Sequence, residues 1–84
     1  MKITFEQTSK KKRRWRGIHA LSSLSWFSKE SCDALETTLF THNPKCRVLK
    51  EAIIFPTAYQ MIVEFKNDSD EAAFMLWASG GIEI

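Results

Sequence analysis

The sequence predicts a single small α+β domain, an antiparallel sheet with two helices on one face. Three observations carry this reading. The segment from Tyr59 to Lys66 alternates apolar and polar residues with a period of two, the signature of a half-buried strand. Two other stretches carry apolar residues at helical spacing behind capping residues. Short apolar runs bounded by turn residues fill the chain between them. Composition agrees: 44% of the 84 residues are apolar and 26% charged, a balance that favours a folded core over disorder. A chain of this length makes one domain with a modest core, spanning residues 1–84.

In chain order, Lys2 to Glu6 alternates, with Ile3 and Phe5 on one side, and reads as a strand. A solvated basic loop follows at residues 9–16. Between Trp15 and Phe27 both periods fit. Gly17 and four serines lower helix propensity, so a second strand is expected there, forming a hairpin with the first. Ser28 is a helix N-cap, with Glu30 and Asp33 in the first turns, where the helix dipole favours acids. Cys32, Leu35 and Leu39 make the inward stripe of that helix. It ends near Thr41, because Asn43 precedes Pro44 and is pushed out of the α region. Cys46 to Phe55 is a third strand, closed by a turn at Pro56-Thr57, and Tyr59 to Lys66 is a fourth. Asp68 caps a second helix with Glu71 three residues on. Ala72, Ala73, Leu76 and Trp77 form its inward face, and Gly80-Gly81 stops it. Ile82 to Ile84 is a short last strand. After the leading strand, this order is β-α-β-β-α-β, the split arrangement of ferredoxin-like folds with an extra N-terminal strand.

The stretch Met61-Ile62-Val63-Glu64-Phe65-Lys66-Asn67-Asp68-Ser69-Asp70-Glu71-Ala72-Ala73-Phe74 resembles the third strand and second helix of RNA-recognition motif domains. It is also similar to the strand-helix tails of small accessory proteins of tailed phages. The first resemblance implies base stacking on aromatics of the open sheet face. Here that face carries Gln60, Ile62 and Glu64, so sheet-face RNA binding is not expected. The second resemblance implies a phage or viral accessory protein, acting in host cytoplasm or virion and engaging a host, defence-system or virion protein.

Charge is divided unevenly. Residues 1–16 hold seven Lys or Arg and one Glu, a local charge of +6, while the rest of the chain sums to −4. The densest part is Lys10-Lys11-Lys12-Arg13-Arg14-Trp15-Arg16, the first candidate site. Six cations can neutralise phosphates, and Trp15 can stack on an unpaired base. The same segment can dock on an acidic protein surface. The plainer readings are a solvated loop with Trp15 turned into the core, or a nuclear-targeting signal. A second candidate is an apolar patch of Ile62, Phe74 and Met75. Together with Trp26, Phe27 and Phe55, these residues exceed what one two-layer core holds, and exposed patches mark partners or homo-oligomers.

Catalysis and cofactors are not expected. His19, Cys32, His42 and Cys46 lack a Cys-x-x-Cys knuckle, so zinc is not favoured. Glycine-rich phosphate loops and nucleophile elbows are missing, and the acids from Asp68 to Glu71 are explained as a helix start. Two cysteines with no secretory leader suggest reduced thiols, and no apolar run is long enough for a bilayer. The function expected from sequence is therefore non-catalytic binding, to a protein partner first and to nucleic acid as the alternative.

Overall fold

The computed structural model describes residues 1–54 and 57–84. Its elements are β1 (Lys2–Ser9), β2 (Arg14–His19), α1 (Lys29–His42), β3 (Arg47–Ile54), β4 (Ala58–Glu64), α2 (Asp68–Ala78) and β5 (Ile82–Glu83). The strands form one five-stranded antiparallel sheet in the order β3-β4-β2-β1-β5. The ferredoxin-like order would set β5 beside β2. Instead β1 lies between them, and β5 pairs only Lys2 with Glu83 and Ile3 with Ile82.

Both helices cover the same sheet face. Ile3 from β1, Met61 and Val63 from β4, and Phe65 beyond it pack with Cys32, Leu35 and Leu39 of α1 and Phe74 of α2. Gly17 of β2 faces this core. A Cβ there would meet the Phe27 ring and Leu35 at 3.4–3.5 Å, so the missing side chain lets both settle close to the sheet. The stripe expected for α1 is the stripe that is buried, and Ser28 caps the helix by accepting from the Ser31 amide.

Other expectations need correction. The second strand stops at His19 instead of continuing to Phe27. Ser23 takes a left-handed φ of 61°, and its amide donates to the His19 carbonyl, a tight turn that a continuous strand cannot contain. Phe27 rejoins the sheet alone, exchanging two backbone hydrogen bonds with Tyr59. The cap of α2 is Asn67, not Asp68. Asn67 is extended and accepts from the Asp70 amide, which leaves Asp68 in the first turn to receive Arg13. The inward face of α2 is also rotated. Phe74 is 1% exposed and Trp77 half-buried, whereas Leu76 is 81% exposed and Ala72 and Ala73 face solvent. Phe74 decides this orientation: its ring sits 4.8 Å from Phe65, 5.0 Å from Phe5 and 5.8 Å from Trp15. The end of the expected third strand at Phe55, and Pro56 of its turn, lie outside the described residues.

Candidate interaction site

The basic segment is divided by the β1–β2 hairpin rather than left as one loop over residues 9–16. Ser9 pairs with Arg14, and only Lys10 to Arg13 make the connection. Arg13 closes the turn with a left-handed φ of 53°, a conformation that costs a non-glycine residue about 1–3 kcal/mol. Beyond its amide bond to Lys10 within the turn, two bonds tie it to the rest of the fold. Its guanidinium donates to Asp68 at 2.8 Å, and its carbonyl accepts from the Phe65 amide at 3.1 Å.

Strand alternation then sorts the remaining residues. Arg14 and Arg16 project to the open face of the sheet, where Arg14 pairs with Glu64 and Arg16 with Glu6. Trp15 projects to the helix face. Its indole N–H donates to Glu71 at 2.8 Å, and its ring lies edge-on to Phe74. All three arginines are thus matched by carboxylates within the fold, and the Trp15 ring is part of the packed layer. Lys10, Lys11 and Lys12 make no ion pair among the described residues and form the exposed tip.

The Arg14 guanidinium, hydrogen-bonded to Glu64, holds that carboxyl below the usual carboxylate range, with Arg47 adding to the effect. A depressed folded pKa contributes stability above the unfolded value of about 4.3, and the contribution is lost as pH falls through the lower folded value. Glu64→Gln should therefore cost stability at pH 7, and the difference from wild type should shrink in acid. The pair is partly solvated, so the cost is on the order of 1 kcal/mol. Urea unfolding at neutral and acid pH checks both the size and the sign.

The expected apolar patch does not form. Phe74 is at the centre of the core and Met75 is half-exposed on the outer side of α2. Ile62 is on the open face but only 8% exposed, flanked by Leu49 and Arg16 on the neighbouring strands. Apolar surface gathers instead at the end of the sheet opposite the lysine tip. There Trp26, Ile53, Ile54, Thr57 and Ala58 line a cleft of about 390 Å³. Trp26 is 45% exposed, Ile53 52% and Ile54 63%. His19 fixes the Trp26 side of this cleft: its Nε2–H donates to the Trp26 carbonyl at 2.8 Å, and its ring stacks on buried Phe27. Sequence reasoning singles out Trp26 as surplus but misses Ile53 and Ile54. The available signal is two consecutive isoleucines at a strand end, which cannot both face the core of a two-layer fold.

The remaining chemistry-bearing side chains are dispersed. Burial pushes both the Cys32 and Cys46 thiols up, which lowers the thiolate fraction a nucleophile or metal ligand needs. His19 stacks on Phe27 and His42 on Trp77. Among the described residues, no three His, Cys, Asp or Glu side chains gather in a metal-binding arrangement. No helix among them is long and apolar enough to cross a membrane. No protein-family model, curated protein or solved structure matches the chain.

Proposed function

We propose that this chain is a non-catalytic binding protein that engages another protein through its apolar end. The observation that supports the reading most is the cleft bounded by Trp26, Ile53 and Ile54. Three large apolar side chains stay 45–63% exposed on a chain whose core is already closed by Phe27, Phe74 and their neighbours. Exposed apolar clusters of this kind, with an aromatic anchor, are the usual energetic centres of protein interfaces. The role of phage or viral accessory protein, in host cytoplasm or virion, is retained as part of this reading on the strength of the strand-helix resemblance. Binding of nucleic acid through the lysine tip is the second reading.

The fold relation belongs to the same proposal. β2 and β3 both run antiparallel to β4, which lies between them, so β2-α1-β3 with β4 keeps the split arrangement. β1 takes the place and direction beside β2 that the last strand holds in the ferredoxin-like order. We read the architecture as that arrangement with its last strand moved to the N-terminus and β5 added at the rim.

The test is a paired capture experiment. Wild type and a Trp26→Ala/Ile53→Lys variant are used as bait in lysate from the source cell and, where it differs, the host. The variant should keep the wild-type melting temperature within a few degrees, because both side chains are exposed. Partners retained by wild type and lost by the variant support the reading. Identical captures from the two baits would remove the apolar end from it.

A further inference from the structure

The β3 edge of the sheet is open along its length, whereas the β1 edge is paired with β5 at Lys2 and Ile3. β3 pairs with β4 on one side, and nothing among the described residues covers the other. The outward groups can be assigned. Phe65 donates its amide to Arg13 and Tyr59 exchanges bonds with Phe27, so odd-numbered residues of β4 turn toward β2 and even-numbered ones toward β3. Arg47, Leu49 and Glu51 are opposite Glu64, Ile62 and Gln60, and their backbone groups are therefore taken by β4. Those of Val48 and Lys50 point outward, without a partner among the described residues.

Edge strands are normally guarded by a projecting lysine, a proline or a bulge. β3 has no proline, and its irregularity lies at the far end, between Ala52 and Ile54. Its lysine does not guard the edge, because Lys50 is held over α1 by Glu36 at 3.1 Å and Asp33 at 3.6 Å. The middle of the edge, Arg47 to Glu51, is left accessible.

We infer that a second copy of this chain pairs with that edge, antiparallel, about a two-fold axis at Leu49. The reason is the charge pattern of the strand. Side chains on one face of a continuous sheet must meet residues of the same face, so allowed registers differ by whole two-residue steps. Centred on Leu49, Arg47 of each copy lies opposite Glu51 of the other, and the two Leu49 side chains meet between these pairs. Val48 and Lys50 then exchange the outward backbone bonds. Centring on Lys50 sets two lysines opposite each other and leaves Arg47 against Ile53. Centring on Glu51 sets two glutamates opposite each other. Of these registers, only the one at Leu49 turns Arg47 and Glu51 toward each other, and like charges directly across strands are destabilising.

Both charged groups are available. The Arg47 side chain is 68% exposed and reaches Glu64 only at 3.9 Å, while Glu64 is already bound by Arg14. Glu51 has no ion-pair partner among the described residues. The contact is small, so the dimer is concentration-dependent. It leaves the Trp26 cleft of each copy at opposite ends of one continuous sheet, so the inference does not depend on what that cleft binds.

Sedimentation velocity from low micromolar to near-millimolar protein tests it. Wild type should shift from monomer to dimer. Arg47→Glu and Glu51→Arg each place two like-charge pairs across the axis and should raise the dissociation constant about tenfold or more. An equimolar mixture of the two single variants should recover the dimer. In the mixed pair, the acid introduced by Arg47→Glu faces the native acid's replacement, the guanidinium introduced by Glu51→Arg, and the remaining pair is the native one. The double variant should recover the dimer alone. Hydrogen exchange should show the Val48 and Lys50 amides protected only at high concentration. A monomer throughout the range overturns the inference. So does a dimer that ignores the single substitutions, or one that neither the mixture nor the double variant restores.

Discussion

Phe74→Ala should lower the melting temperature by on the order of 20 °C, and partly unfold the protein at room temperature. Phe74 is the shared neighbour of Phe5, Trp15, Phe65 and Trp77, with ring separations of 4.8–6.3 Å. Removing it leaves a cavity where α2 meets the sheet, and phenylalanine-to-alanine changes in such places cost about 3–5 kcal/mol. A domain of this size has only about 5–15 kcal/mol in total, and each kcal/mol shifts its midpoint by about 4–8 °C. Leu76→Ala, on the solvent side of the same helix, should change stability by under about 0.5 kcal/mol. Thermal and urea unfolding of the two variants give the comparison. If Leu76→Ala were the more damaging, the inward face of α2 would be the one that periodicity suggests.

That comparison also locates where sequence reasoning held and where it ran out. α1 was legible because Cys32, Leu35 and Leu39 recur at helical spacing behind a serine cap, and local chemistry and packing agree there. β4 was legible for the same reason, at a period of two. In α2 the inward turn begins at Asp70 and Glu71, which hydropathy places outside. Glu71 is nonetheless at the rim of the core, because the Trp15 indole brings it a proton donor from 56 residues away. Such a partner is invisible to periodicity. The position of β5 was lost differently: the β1–β2 hairpin expected from sequence already fills the place beside β2 that the ferredoxin-like order gives the last strand, so β5 is left at the rim of β1. The apolar end was half legible. Surplus apolar residues were apparent, but their distribution depends on which of them the core accepts, and it accepted Phe27 and Phe74 while leaving Trp26 and Ile53 at the surface.

The basic segment gives the second large expected effect, in salt rather than temperature. Read as seven consecutive residues, it offers six cations to phosphates. The fold pairs Arg13 with Asp68, Arg14 with Glu64 and Arg16 with Glu6, which leaves three lysines at the tip. Counterion release scales with the number of phosphates neutralised, at about 0.7 per contact for single strands in the logarithm of affinity against that of salt. Three contacts predict a loss of about 20-fold between 50 and 200 mM salt, whereas six predict roughly 300-fold. Fluorescent single-stranded DNA and RNA titrated at the two salts should therefore bind weakly, with the shallower dependence. Lys10→Gln/Lys11→Gln/Lys12→Gln should abolish what binding there is. Trp15→Ala should reduce stability through its lost contacts with Glu71 and Phe74, without a selective loss for single strands. Micromolar binding that survives the higher salt, falls with the steeper slope and weakens in Arg14→Gln would mean that the arginines leave their carboxylates for phosphate. In that case the second reading, nucleic-acid binding, would replace the first.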